Sequence, residues 1–542
     1  MPITEAQLKS IFIDAAQVPE AFMLPPQDGS RYLVNNQVLS GSGTTHPIDS
    51  PLCLTANGQT PTRPILGHCF AAPAEVSQQA LEAALAAWDN GRGEWPTMSV
   101  AARVERLEEF CRLAKPLREE VSRILMWEIA KPWDDSLKEF DRTLEYITDT
   151  ISALKELDRK GCHFEVEKGV VGMVRRAPLG VVLCMGPYNY PLNETYTTLI
   201  PALIMGNVAI VKLPKMGVLC HLPLLSVFAK CFPAGVVNIL AGDGEQVVGP
   251  LMKSGKIDVL AFIGSSRVAD ILKHQHPKPH RLRSVLGLDA KNPGIIMEDA
   301  DLELAVRESV KGALSFNGQR CTALKILFVH KSRAEQFVQK LSDAVELLKF
   351  GMPWEKGVTL TPMAEKGKPE KLAGWLEEAK NKGAVIANPS GGKTYSTFFF
   401  PAVVYGVTAA MQLYHVEQFG PIIPVVSYQD TSELYDYFEQ SAYGQQTSLF
   451  GNSPSVIGPM LDVLANQVCR INLNTQCQRG PDAFPFTGRK DSAEGTLSVS
   501  DALRVFSIRS MVAASYDKAS KALLSDIVTG RSSHFLRTDY LL

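Results

Sequence analysis

The run Phe316-Asn-Gly-Gln-Arg-Cys321-Thr-Ala places one thiol behind a polar, glycine-containing turn and directly after an arginine. A neighbouring cation stabilises a thiolate, and the thiolate is the nucleophilic form of cysteine, so Cys321 is a candidate for covalent catalysis. The competing reading is an inert small core residue, the commoner fate of a cysteine. The chain's ten cysteines are scattered without CxxC pairs or regular spacing. That pattern predicts reduced thiols in a cytoplasmic compartment, with neither a disulfide framework nor a metal site.

Such a thiol has to be positioned by elements built around it. From Glu75 onward, Val76, Leu81, Ala84, Leu85 and Trp88 recur at helical spacing, and the apolar residues of 104–113 and 121–129 continue the pattern. This predicts a helix-rich segment. At Gly180 the texture changes to alternating units: a buried strand at 181–185, a helix at 195–205, a strand at 207–212, a helix near 221–230, then strands at 236–240 and 259–263. Alternation of this kind implies parallel strands with right-handed crossovers, a doubly wound sheet whose ligand lies at the strands' C-terminal ends. A strand pair follows at 283–297, and a helix at 302–313 leads into the Cys321 turn. A second α/β region is expected beyond it, with helices near 334–348 and 370–382 and strands at 325–329 and 421–426. Near the start, Arg31-Tyr-Leu-Val-Asn-Asn-Gln-Val reads as a hairpin turning at its Asn-Asn pair.

The chain has 542 residues, with 55 Lys and Arg against 57 Asp and Glu, a net charge of −2, and 45% apolar residues. This length supports about three or four structural units without metal or disulfide staples. A charge near zero with no basic cluster excludes nucleic acid and anionic membranes as partners. The segments 177–193 and 195–211 carry no charge, but Pro, Gly and Asn break them and they flank Glu194, so neither offers a membrane span. The N-terminus lacks the basic start and apolar core of a secretory signal and is expected to remain on the mature chain.

Six motifs, Gly186-Pro-Tyr-Asn-Tyr-Pro191, Lys212-Leu-Pro-Lys215, Gly264-Ser-Ser, Lys291-Asn-Pro, Gln319-Arg-Cys-Thr and Glu417-Gln-Phe-Gly-Pro421, occur in the order and spacing of the aldehyde dehydrogenase superfamily. The chain resembles that superfamily from about residue 30 to about residue 512. The resemblance implies an α/β fold with a Rossmann-type cofactor domain (1–160 and 180–289), an α/β catalytic domain (290–495), and a β-strand oligomerisation arm with a C-terminal tail (161–179 and 496–542). It also implies a homodimer or homotetramer. Carried over to this chain, Cys321 is the nucleophile that attacks the aldehyde carbonyl, and Asn189 with the Cys321 backbone N–H stabilises the resulting oxyanion. Lys212 falls at the adenosine-ribose position, and Lys215 stands where the family often has a glutamate. An ammonium there pairs with a 2′-phosphate, which favours NADP over NAD while leaving NAD possible. Gly264, Ser265 and Ser266 match the pyrophosphate turn, with Leu288, Glu417 and Phe419 completing the cofactor positions.

Within the superfamily, Tyr190, Arg320, Gln478-Arg479-Gly-Pro-Asp and Phe484-Pro-Phe are similar to the non-phosphorylating glyceraldehyde-3-phosphate dehydrogenases. In that group a tyrosine and several arginines surround the substrate phosphate. The resemblance therefore implies a phosphorylated, anionic aldehyde held by Tyr190, Arg320, Arg479 and Arg142, since guanidinium groups supply bidentate donors in fixed geometry. One position departs from the superfamily: its general-base glutamate is Gly287 here, in Gly287-Leu-Asp-Ala-Lys291. Asp289 and Glu417 are the nearest alternatives, Asp289 being equally readable as a turn residue. Coenzyme A-acylating aldehyde dehydrogenases also lack that glutamate, so acyl transfer to a thiol is the alternative chemistry. A non-enzymatic binding role is the third reading, opposed by the presence of Cys321 and Asn189.

Overall fold

The computed structural model describes residues 2–56 and 59–540. Its centre is an eight-stranded sheet whose five inner strands run Val237–Leu240, Val208–Lys212, Val181–Met185, Val259–Ile263 and Arg283–Gly287 across the sheet. All four inner pairings are parallel. In chain order this is 3-2-1-4-5, the doubly wound arrangement, with its topological switch between Val181–Met185 and Val259–Ile263. Every residue of Val181–Met185, Val208–Lys212 and Val259–Ile263 is buried, as continuous apolar runs require when helices cover both faces. The N-terminal hairpin Arg31–Val34 and Gln37–Ser40 closes one edge, turning at Asn35 and Asn36 with φ of 50° and 65°. Asparagine tolerates that left-handed turn, as expected from the sequence.

A second, seven-stranded sheet is built from Pro293–Ile296, Ile326–His330, Ala402–Tyr405, Ile422–Tyr428, Gln446–Phe450, Arg470–Leu473 and the short Val385–Ile386. The strand pair expected at 283–297 is therefore divided between sheets: Arg283–Gly287 completes the first and Pro293–Ile296 lies inside the second. Residues 288–292 carry the chain from one to the other, and the Cys321 turn sits in the same junction.

The helix expected at 195–205 spans Pro191–Ile204, beginning on a proline at its first turn and buried along its whole length. Proline suits that position because its missing N–H would have no partner there. The long helix Trp133–Lys160 packs against it. Ser507–Ser515 pairs along nine residues with Val170–Pro178, and Glu165–Glu167 adds a third strand. The C-terminal tail forms the helix Lys518–Thr529 and then returns to the N-terminal helices. There Ala101 N donates to Asp539 Oδ2 at 3.0 Å, and Asp539 N donates to Asp158 Oδ2 at 3.0 Å.

Candidate active site

Cys321 follows a turn in which Phe316, Asn317 and Gly318 all have positive φ, 49°, 53° and 68°. Two non-glycine residues in this region are uncommon, and a scaffold must hold them. Asn317 Nδ2 donates to the Thr361 carbonyl at 2.7 Å and its Oδ1 accepts from Thr361 N at 3.2 Å. A Cβ on Gly318 would approach the Ala313 and Gly420 carbonyl oxygens to 2.7 and 2.8 Å, so only glycine fits. On the other side Asn292 Nδ2 donates to the Cys321 carbonyl at 2.8 Å and to that of Ala323 at 3.1 Å. The Lys291-Asn-Pro motif thus clamps the Cys321 backbone from the residue just before the strand Pro293–Ile296.

Asn189 comes from the loop after Val181–Met185, at the switch point of the first sheet. Its Nδ2 donates to the Gln319 carbonyl at 2.7 Å, two residues before Cys321, so the two fold-distant motifs meet. Its own carbonyl accepts from Lys131 Nζ at 2.8 Å. Lys131 is fully buried, ion-paired with the equally buried Glu139, and 3.5 Å from the centre of the Tyr190 ring. Glu139 Oε1 in turn accepts from Leu192 N at 3.0 Å and Asn193 N at 3.2 Å, satisfying donors in the first turn of Pro191–Ile204. Tyr190 stands edge-on to Phe316, 6.2 Å between ring centres. One buried carboxylate–ammonium pair therefore positions the helix start, the Asn189 backbone and the Tyr190 ring together.

Burial pushes the Cys321 thiol up to about 11; the charges of Glu194 and Glu417 add to this, while Arg479 and Lys325 oppose it. Arg320, expected beside the thiol from sequence adjacency, turns its guanidinium elsewhere: Nη2 donates to the Gly312 carbonyl at 2.9 Å. The nearby ammonium is Lys325, buried, with Nζ donating to the Gly318 carbonyl at 2.9 Å and lying 3.3 Å from Glu417 Oε1. Burial raises the Glu417 pKa against the opposing pull of Lys325. Phe419 lies under the Lys325 ammonium, 4.6 Å from ring centre to Nζ, and edge-on to Tyr188.

The other arginines form one connected group. Arg142, on the long helix, pairs with Asp482 at 2.9 Å; Arg479 Nε reaches the same carboxylate at 3.1 Å, and Arg479 Nη1 pairs with Glu194. Gly287 has no side chain to offer, and a Cβ there would touch Ile263 and Leu497 at 3.4 Å, so its surroundings are apolar. Asp289 is occupied: its Oδ2 accepts from Ser266 N at 2.8 Å and Ser266 Oγ at 2.9 Å, capping the helix Ser266–Gln275. Asp289 is thus neither free nor a local turn residue but a long-range cap on that helix.

At the cofactor side, Lys212 ends its strand buried, and burial lowers its pKa, whereas Lys215 is exposed. Gly264 N donates to the Gly287 carbonyl at 3.0 Å, and Ser265 is an N-cap whose side chain makes no cap bond. Leu288 is buried beside this turn and its N–H donates to the Ser492 carbonyl at 2.9 Å.

Lys131, Glu139, Asn292, Lys325 and Glu194 were not singled out as functional from sequence. For Lys131 and Glu139 no local signal exists. Glu194 did carry one, as the only charge in 177–211.

Among known proteins, residues 57–512 match the aldehyde dehydrogenase family. The chain is 32% identical over 444 residues to an NADP-dependent glyceraldehyde-3-phosphate dehydrogenase of Streptococcus equinus, covering 80% of this chain and 91% of that protein. It is 29% identical over 420 residues to the enzyme of the same description from Apium graveolens, covering 76% and 83%. The crystal structure of an NADP-dependent glyceraldehyde-3-phosphate dehydrogenase from Bacillus halodurans C-125, complexed with NADP, superposes with a TM-score of 0.81 at 28% identity, covering 91% of this chain and 100% of that one. With a doubly wound sheet, a second sheet parallel but for one short edge strand, and a cysteine and an asparagine brought together between them, the chain belongs to the aldehyde dehydrogenase family.

Proposed function

We propose that this protein oxidises a small anionic aldehyde to its carboxylic acid with NADP as hydride acceptor, glyceraldehyde 3-phosphate being the first substrate to try. The observation that carries the reading is the junction of Asn189 with the Cys321 loop, 2.7 Å from Nδ2 to the Gln319 carbonyl. In this mechanism the Cys321 thiolate adds to the aldehyde carbon, and the Asn189 amide and the Cys321 N–H stabilise the oxyanion. Loss of hydride from the thiohemiacetal leaves a thioester on Cys321. NADP, when bound, supplies the acceptor for that hydride. Hydrolysis by water then releases the acid.

The residues present fit such a cofactor. Lys212 ends a strand next to the switch point, exposed Lys215 follows three residues on where it can meet a 2′-phosphate, and Ser265 retains a hydroxyl not used as a cap. For deacylation, Asp289 is committed to Ser266, which leaves Glu417, buried and with its pKa raised, as the carboxylate to activate water. The empty, apolar position at Gly287 favours a second reading, transfer of the acyl group to coenzyme A. We further propose assembly as a homodimer or homotetramer through the outer strand Ser507–Ser515, which exposes Ile508 and Met511, and a cytoplasmic location. Among the described residues no helix is long and apolar enough to cross a membrane.

Rapid mixing with glyceraldehyde 3-phosphate and NADP, with and without coenzyme A, tests the reading. Steady NADPH formation with 3-phosphoglycerate as product supports hydrolysis. A burst near one equivalent per site, relieved only by coenzyme A, supports acyl transfer. No NADPH with any of a panel of aldehydes refutes both.

A further inference from the structure

Glu194 lies in the first turn of Pro191–Ile204, five residues after Asn189, with its side chain 11% exposed. It pairs with Arg479 Nη1, while Arg479 Nε is held by Asp482 at 3.1 Å, and the guanidinium covers the Phe486 ring at 4.6 Å. Asp482 also binds Arg142 through both Nε and Nη2. Two of the arginines expected to receive a phosphate are thus already neutralised by two carboxylates. Among the described residues Arg320 has no carboxylate partner; Nη2 donates to a carbonyl and Nε is buried without one. Three guanidinium groups against two carboxylates leave one positive charge. Glu194 is also close enough to the nucleophile to be the first of the charges that raise the Cys321 thiol.

This arrangement suits one negative charge and opposes two. A phosphate dianion bound at Arg479 would either displace Glu194, leaving a buried carboxylate uncompensated, or sit beside it and be repelled. A carboxylate on the aldehyde needs only one uncompensated guanidinium, and Arg320 is the member of the three without a carboxylate partner. We propose that Glu194 is a specificity-determining residue that neutralises Arg479 and so makes the substrate pocket select aldehydes carrying one negative charge over aldehydes carrying a phosphate dianion. The inference rests on aldehyde oxidation at Cys321 and narrows its substrate class.

The test compares wild type with Glu194→Gln and Glu194→Asp, using glyceraldehyde 3-phosphate, unphosphorylated glyceraldehyde and succinic semialdehyde, a monocarboxylate aldehyde. Wild type should show a higher kcat/KM for succinic semialdehyde than for glyceraldehyde 3-phosphate. Glu194→Gln removes the charge but keeps a hydrogen-bonding oxygen for Arg479. It should raise the kcat/KM ratio of glyceraldehyde 3-phosphate to glyceraldehyde about tenfold, chiefly through KM. Glu194→Asp, which retains the charge, should leave that ratio near the wild-type value. An unchanged ratio in Glu194→Gln, or a wild type that prefers the phosphorylated aldehyde, overturns the proposal. Titration calorimetry with inorganic phosphate gives a readout independent of turnover. Tighter phosphate binding by Glu194→Gln supports the role of Glu194 even if no aldehyde is oxidised, and equal binding by the two proteins counts against it.

Discussion

Replacing Lys131 by methionine removes a fully buried ammonium from a fully buried carboxylate, together with the 2.8 Å hydrogen bond to the Asn189 carbonyl and the cation over the Tyr190 ring. Breaking a buried pair by deleting one partner costs about 3–5 kcal/mol, because the remaining charge is stranded. The remaining carboxylate here is Glu139, which still accepts from Leu192 and Asn193. Those two bonds stabilise the anion, so the lower end, about 3 kcal/mol, is expected. Adding Glu139→Gln should recover about 2 kcal/mol, since glutamine keeps an oxygen for the two backbone donors but carries no charge to strand. Melting temperature and urea unfolding of wild type, both single variants and the double variant measure the stability side as a double-mutant cycle. The catalytic side is separate: with its carbonyl no longer held, Asn189 is aimed less well at the oxyanion, and kcat should fall about tenfold to a hundredfold. The KM for the dinucleotide should change little in Lys131→Met, and kcat should stay low in the double variant even as stability recovers. Two results would refute the reasoning: a double variant as unstable as the summed singles, or a Lys131→Met enzyme with wild-type kcat.

Further outcomes follow from the same geometry. With the Cys321 thiol pushed up to about 11, its alkylation by iodoacetamide should accelerate about tenfold per pH unit from pH 7 to pH 10; a plateau below pH 9 would contradict the burial argument. Cys321→Ala should abolish aldehyde oxidation and, with it, any burst of NADPH. Lys215→Glu should weaken NADP binding about a hundredfold more than NAD binding, measured by quenching of intrinsic fluorescence, and equal losses would remove the 2′-phosphate from that position. Gly287→Glu places its Cβ in contact with Ile263 and Leu497 at 3.4 Å, without overlap, and should raise the steady rate of acid formation if deacylation limits turnover. An unchanged rate would move the slow step to hydride transfer or release.

Much of the fold was legible because its signals are local. Apolar runs such as Val-Val-Leu-Cys-Met and Val-Leu-Ala-Phe-Ile alternate with helical periodicity, and that alternation alone implies a parallel, doubly wound sheet. The Asn-Asn hairpin and the Cys321 turn are likewise encoded by residues adjacent in the chain, whereas the helix Lys518–Thr529 in the tail was not read from the sequence. The strand pair at 283–297 was located by its composition, but its division between two sheets was not, because periodicity records burial and not the neighbour that provides it.

Cys321 and Asn189, the candidate nucleophile and oxyanion donor, could be picked out from motifs. What the arginines near them face could not. Nothing in the local sequence of Arg479 or Arg320 shows that one meets Glu194, 285 residues away, while the other turns to the Gly312 carbonyl. Lys131 and Glu139 are silent for the same reason: a lysine and a glutamate eight residues apart look like solvated surface charges until the helix Pro191–Ile204 packs over them. Residue type sets which charges and donors are available, and burial and long-range pairing decide which of them remain free to act. Sequence alone determined the family and offered Cys321 and Asn189 as the candidate nucleophile and oxyanion donor. Only the tertiary structure, by bringing distant charges into a low-dielectric interior where each must find a partner, decided which arginines are neutralised and what holds the Cys321 loop in place.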